Sequence, residues 1–251
     1  MDDLELALRL AREAGEVLLG RFGGPAEALT AKSSPTDMVS EADRAAERLV
    51  LEALGAERPD DGVLGEEGAD VAGTSGRRWI VDPLDGTTNY LYGHPGWAVS
   101  IALEDAEGLL VGVVHAPVLG ETYTAERGRG AHLDGRPVTV REAVEPAGAL
   151  LGTGFGYAAD LRGRQSELLV RVLPRVRDIR RGDSAALDLA WVAAGRLDGY
   201  WERGLNSWDT AAGSLLVTEA GGALATLDGE PAGLVAAPKA LLPALVELLG
   251  D

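Results

Sequence analysis

The stretch Trp79-Ile80-Val81-Asp82-Pro83-Leu84-Asp85-Gly86-Thr87-Thr88-Asn89 carries the densest chemistry in the chain. Three apolar, β-prone residues predict a short strand that delivers Asp82 at its end. Pro83 fixes its own φ and biases Asp82 toward an extended shape. Asp85 returns three residues later, so a tight turn can aim both carboxylates at one point. The Leu84 carbonyl between them offers a third oxygen. Such a donor set suits Mg²⁺ or Mn²⁺, with water completing the shell. Gly86-Thr87-Thr88 then supplies backbone N–H groups and hydroxyls, a setting that suits a phosphate. The same residues also fit an ordinary β-turn leading into a helix cap.

Working outward, the composition narrows what such a turn can serve. The 251 residues carry 23 Lys and Arg against 40 Asp and Glu, a net charge of −17. With no basic cluster, direct gripping of nucleic acid is excluded as the main role, because that binding runs on phosphate neutralisation. No run of about 18 apolar residues predicts a membrane span. The first residues, MDDLELALRL, are acidic and amphipathic, unlike a signal peptide, so a cytoplasmic location is expected. There is no Cys, and the three histidines (His94, His115, His132) are scattered, so a metal here has to be held by oxygen.

Periodicity predicts an amphipathic helix over 2–22 and a second from about Ser40, where Ser40 and Asp43 have capping-box spacing. On the second, Ala42, Ala45, Ala46, Leu49 and Ala53 are expected to form one face. Strands are expected at 79–81, 97–103, 109–116, 121–125 and 138–140. Without helices between them, they suggest an antiparallel sheet. After residue 150 the pattern alternates. Helices are expected at 162–173, 184–194, 209–219 and 241–249, with strands between them and a short hairpin before 234–236. This is an α/β half, and the boundary falls near 145, giving halves of 1–145 and 146–251 that form one catalytic unit.

Two further acidic clusters stand far from the first. Gly65-Glu66-Glu67-Gly68 follows Val63-Leu64 and sits at a strand end, where adjacent side chains point to opposite sides. Trp208-Asp209-Thr210-Ala211-Ala212-Gly213 puts Asp209 at the start of a helix, with small residues that permit close packing. As single features, the first reads as a solvated acidic turn and the second as a plain helix cap.

Taken in order, the segments resemble the inositol monophosphatase family over nearly the whole chain. The resemblance runs through Lys32-Ser33-Ser34-Pro35-Thr36-Asp37, Glu41-Ala42-Asp43, Gly65-Glu66-Glu67 and the Asp82–Asn89 stretch. It continues through 182–186, 198–202, Trp208–Gly213 and 219–222. It implies a layered αβαβα sugar-phosphatase fold of α+β and α/β character, with an antiparallel N-terminal sheet and a smaller α/β C-terminal half.

By that resemblance, Glu66, Asp82, Asp85 and the Leu84 carbonyl hold a first Mg²⁺. Asp82, Asp85 and Asp209 hold a second, and a third, weaker ion lies near Glu66. Metal-activated water is the implied nucleophile, with Thr87 accepting its hydrogen bond, Asp43 polarising Thr87 and Glu66 assisting. The backbone of Gly86 and Thr87 would hold the phosphate. Asp183, Ser184, Ala185 and Glu202 would meet the alcohol portion, beside Asp85 and Asp209. Lys32 matches a loop over the site. Asp183 stands where many relatives carry glycine or another small residue, a departure that suits either a cap on the following helix or an altered polyol preference.

The implied activity is Mg²⁺-dependent, lithium-sensitive hydrolysis of inositol 1-phosphate or a similar small polyol or sugar phosphate by a homodimer. Fructose 1,6-bisphosphate and histidinol phosphate are the alternative substrates within the family. A non-enzymatic regulatory interaction protein is the alternative outside catalysis.

Overall fold

Helix α1 (Asp3–Leu19) begins where Asp2 accepts the Glu5 N–H and the Glu5 carboxylate reaches back to the Asp2 N–H, a capping box. Its apolar positions Leu6, Leu10, Ala14 and Leu18 share one buried stripe. The chain is represented by a computed structural model that describes residues 1–24, 30–31, 38–39, 41–142 and 145–250. Lys32 and Ser40, singled out from the sequence, lie outside the described residues. Strands β1 (Thr30–Ala31) and β2 (Met38–Val39) pair antiparallel and lead to helix α2 (Glu41–Glu57).

Next come β3 (Gly62–Gly65), β4 (Asp70–Val71), β5 (Arg78–Asp85), helix α3 (Thr87–Leu91), β6 (Ala98–Asp105), β7 (Gly108–Ala116), β8 (Glu121–Glu126), β9 (Ala131–Leu133) and β10 (Arg136–Val138). The eight strands form one sheet in the order β10-β9-β8-β7-β6-β5-β3-β4. It is antiparallel as expected except at β3, which lies parallel to β5 because the chain returns through β4 on the outer edge of β3 before β5 begins. The expected strand at 138–140 is instead the end of β10. Val140 donates to the Ala220 carbonyl rather than joining the ladder.

The remaining elements are β11 (Leu150–Thr153), α4 (Ala159–Val172), β12 (Asp178–Arg180), α5 (Ala185–Ala193), β13 (Gly199–Arg203), α6 (Ser207–Glu219), β14 (Gly222–Leu227), β15 (Gly233–Pro238) and α7 (Leu242–Leu249). Their five strands form a mixed sheet ordered β12-β11-β13-β15-β14.

Three cores stack these pieces into five layers. Helices α1 and α2 bury Leu10, Ala46 and Val50 against Trp79, Val81 and Ile101 on one face of the large sheet. Helices α5 and α6 bury Leu189 and Leu216 against Ile80, Ala102 and Val114 on its other face. Helices α4 and α7 cover the far face of the small sheet around Leu151, Val235 and Leu245. The result is the αβαβα order, because each sheet has two apolar faces that need covering.

Small residues let α5 and α6 sit deep. A β-carbon on Gly112 of β7 would lie 2.9 Å from the Ala212 carbonyl of α6, and one on Gly213 would lie 2.5 Å from Leu189 of α5. Any larger residue at these points would push α6, and with it Asp209, away from the sheet.

Candidate metal centre

In a regular strand, residues three apart face opposite sides. Asp82 and Asp85 escape this through a β-bulge. Asp82 pairs with Ser100 and Asp85 with Ala98, so two residues of β5, Pro83 and Leu84, stand opposite Val99 alone. The extra residue reverses the alternation and turns both carboxylates to the α5–α6 side. Proline suits the bulge because it brings no N–H to leave unpaired. Leu84 packs into the opposite core beside α1 and α2, which anchors the turn.

Asp82 is 1% exposed, and one of its oxygens accepts the Leu84 N–H at 3.0 Å. Asp85 accepts the Ser184 hydroxyl and the Ala186 N–H, both at 2.7 Å, at the start of α5. Asp209 is the third residue of α6 and accepts the Asn206 N–H at 2.6 Å, closing a capping box. The capping role predicted for it is therefore real, and it leaves Asp209 aimed at the bulge. Oxygens of Asp82, Asp85 and Asp209 all lie within 4.8 Å of one another. Glu66 follows β3, its N–H bonded to the Val81 carbonyl at 3.1 Å, and its side chain borders the same cavity.

Burial, then the charges of Glu66, Asp85 and Asp209, push Asp82 well above the usual carboxylate range. Burial and Asp209 do the same to Asp85 against the opposing pull of its two donors. A cluster of carboxylates with Asp82 and Asp85 buried at its centre is a poor device for stability, because like charges in low dielectric repel strongly. It fits a divalent cation, whose charge reverses the balance, and its donors are all hard oxygen.

The cavity has a volume of about 440 Å³. Gly86, with φ of +92°, caps the short helix α3, and Thr87 donates to the Leu84 carbonyl at 3.1 Å. Asp183, Ala185, Glu202 and Trp208 line the far side. Ser184 does not border the cavity. Its side chain lies 2% exposed behind Asp85 and caps α5. The helix-cap role suggested for Asp183 thus belongs to Ser184.

Tyr200 donates to Glu202, and burial holds the Glu202 carboxyl up at about 7. Asp43 is 1% exposed on α2, where its charge, after burial, helps raise the Tyr90 phenol to about 12.

Several participants escaped sequence reasoning. The amide of Asn89 donates to the Gly96 and Gly182 carbonyls at 2.6 and 2.7 Å, tying the bulge turn to the segment before α5. Asp188 is 1% exposed beside Glu202, whose charge adds to burial in raising it. An acid within the apolar run Ala185-Ala186-Leu187-Asp188-Leu189-Ala190 was its available signal. Glu47 accepts the Glu67 N–H at 3.0 Å and so braces the turn that carries Glu66.

Comparison with known proteins agrees with this layout. A model of the inositol monophosphatase family matches residues 2–249. An inositol-1-monophosphatase of Rhizobium meliloti is 47% identical over 223 residues, covering 87% of this chain and 83% of the relative. The Nus factor SuhB of Pseudomonas aeruginosa is 43% identical over 236 residues, covering 90% and 86%. Among solved structures, the extragenic suppressor protein suhB from Bartonella henselae superposes with a TM-score of 0.90 at 38% identity, covering 98% and 97%. The Thermotoga maritima IMPase gives 0.89 at 33%, covering 99% and 97%. Among the described residues, no helix is long and apolar enough to cross a membrane.

Proposed function

Because the chain belongs to the inositol monophosphatase family and is a phosphatase of that family, we propose that it hydrolyses inositol 1-phosphate or a similar small polyol or sugar phosphate, using two to three Mg²⁺ ions or Mn²⁺ in their place. The observation that carries this is the meeting of Asp82, Asp85 and Asp209 within 4.8 Å on the wall of one cavity. These residues arrive from opposite halves of the sequence, and each alone would be an ordinary turn or cap.

Glu66, Asp82, the Leu84 carbonyl, Asp85 and Asp209 would hold the ions. Bound there, divalent cations offset the dianionic charge of a phosphate monoester and acidify water. The chain's own groups supply the rest. The N–H groups of Gly86 and Thr87 receive phosphate oxygens. The Thr87 hydroxyl spends its proton on the Leu84 carbonyl, so its lone pairs remain to accept a hydrogen bond from the attacking water. Glu66 takes the proton of that water as its oxygen bonds to phosphorus and the P–O bond to the alcohol breaks, the departing oxygen taking a proton from solvent water, and Asp43 supports Thr87 from the buried start of α2. Glu202 accepts hydroxyl hydrogens of the alcohol, a task for which a carboxylate with two oxygens is suited. Family resemblance extends the proposal to a cytoplasmic homodimer that is sensitive to lithium.

The test is phosphate release from a panel of inositol 1-phosphate, fructose 1,6-bisphosphate, histidinol phosphate and glycerol 2-phosphate during a Mg²⁺ titration. Inositol 1-phosphate should give the highest kcat/KM, and EDTA should abolish turnover. A preference for histidinol phosphate would overturn the substrate assignment, and EDTA-resistant turnover would overturn the mechanism. Likeness to a Nus factor supports a second role in binding a transcription complex. Asp85→Asn separates the two, because it should stop phosphate release and leave such binding intact.

A further inference from the structure

Asp183 has a φ of +71°, one of two described non-glycine residues with positive φ. The other, Asp134 at +49°, belongs to the two-residue Asp134-Gly135 turn between β9 and β10, a hairpin type that demands left-handed residues. Asp183 sits in no hairpin. It joins β12 to α5, where glycine would adopt the same backbone without strain.

The segment is clamped on both sides of it. The Gly182 carbonyl accepts from Asn89, and Ser184 caps α5 while donating to Asp85. The Asp183 side chain is only 10% exposed and pairs with Arg181 through Oδ1. Its carboxylate is held above the usual range because burial outweighs the pull of Arg181 and Thr88. A left-handed backbone and a buried carboxylate both cost stability, so folding alone does not favour aspartate over glycine here.

What the side chain does is fix Arg181. The Arg181 guanidinium carbon lies 5.9 Å from the centre of the Phe155 ring. Phe155 and Asp183 border the cavity together with Glu202, and the Arg181 charge acts on Glu202. We propose that Asp183 is a positioning residue for substrate selectivity: it pins Arg181 over Phe155 and so fixes the cavity wall beside Glu202, where the alcohol portion of the ester is read. This rests on the phosphatase assignment above. A hydroxyl-rich alcohol gains from a fixed wall that presents it squarely to Glu202. A flat aryl alcohol with no hydroxyls to present gains little.

The experiment compares the full chain with Asp183→Gly, Asp183→Asn, Arg181→Gln and the double variant Asp183→Asn/Arg181→Gln. The readouts are Tm and, with Mg²⁺ present, kcat/KM for inositol 1-phosphate divided by that for p-nitrophenyl phosphate. The ratio should fall about tenfold in each single variant, through KM for inositol 1-phosphate more than through kcat. The double variant should fall no further, because both changes remove one arrangement. Asp183→Gly should melt at or above the wild type, which a merely structural role would not allow. An unchanged ratio in folded Asp183→Gly and Asp183→Asn would overturn the proposal, as would a double variant whose loss is the product of the singles. A wild-type chain inactive on both esters would overturn the phosphatase assignment and this inference with it.

Discussion

Replacing Asp209 by Asn should stabilise the metal-free protein and cripple its response to Mg²⁺. Coulomb's law at 4.8 Å, with an effective dielectric of about 20, gives about 3.5 kcal/mol for each ionised pair among Asp82, Asp85 and Asp209. The substitution removes two such pairs. Part of that penalty is already avoided by proton uptake, which is what the raised Asp82 and Asp85 carboxyls express, so a realised gain of about 2 kcal/mol is expected. The helix cap survives, because the Asn side-chain oxygen can still accept the Asn206 N–H. For a chain of this size, about 2 kcal/mol raises Tm by roughly 4–8 °C. The assay is thermal unfolding in EDTA and across a Mg²⁺ titration. Wild-type protein should gain about 2.7 kcal/mol when Mg²⁺ reaches a hundred times its Kd, and Asp209→Asn should gain much less. The order of stability therefore inverts between EDTA and Mg²⁺. A variant that melts below the wild type in EDTA, or that gains as much from Mg²⁺, would refute the electrostatic account.

Gly86→Ala should lose most activity and about 1–2 kcal/mol of stability from the left-handed backbone alone. Its β-carbon would also come within 3.0 Å of the Gly96 carbonyl; urea unfolding and phosphate release check both effects. Ser184→Ala removes one of two donors to Asp85 and the side-chain cap of α5. The Mg²⁺ concentration for half-maximal activity should rise about tenfold or more, read by titration at saturating substrate. Glu202 is raised, so it is protonated below about 7 and becomes a full acceptor above it. The kcat/KM for inositol 1-phosphate, relative to p-nitrophenyl phosphate, should therefore climb with pH up to about 7. Bound Mg²⁺ offsets the Asp209 charge and shifts the midpoint downward. Glu202→Gln should flatten this profile.

Local chemistry was legible where it dictated local shape. Proline and glycine around Asp82 and Asp85 announced a turn, and Ala211-Ala212-Gly213 announced close packing that Gly112 now explains. Alternation could not reveal the bulge, because the phase reversal exists only relative to β6. The inward face of α2 was legible in part: Ala42 and Ala46 are buried and Leu49 and Ala53 pack against the same core, while the buried side also takes in Asp43, Glu47, Val50 and Leu54. Acids at helical spacing look like a solvated surface until their partners are known. The parallel pairing of β3 with β5 was hidden because crossovers are tertiary facts. The β9–β10 hairpin was overlooked although Asp134-Gly135 is a strong hairpin signal. The Ser184 contact with Asp85 spans 99 positions and has no trace in local sequence.

The most direct measurement is anomalous diffraction from crystals soaked in Mn²⁺. The account predicts a strong peak bounded by Asp82, Asp85 and Asp209, with at least one further peak toward Glu66. No peak among these carboxylates at a Mn²⁺ concentration that supports turnover would contradict it.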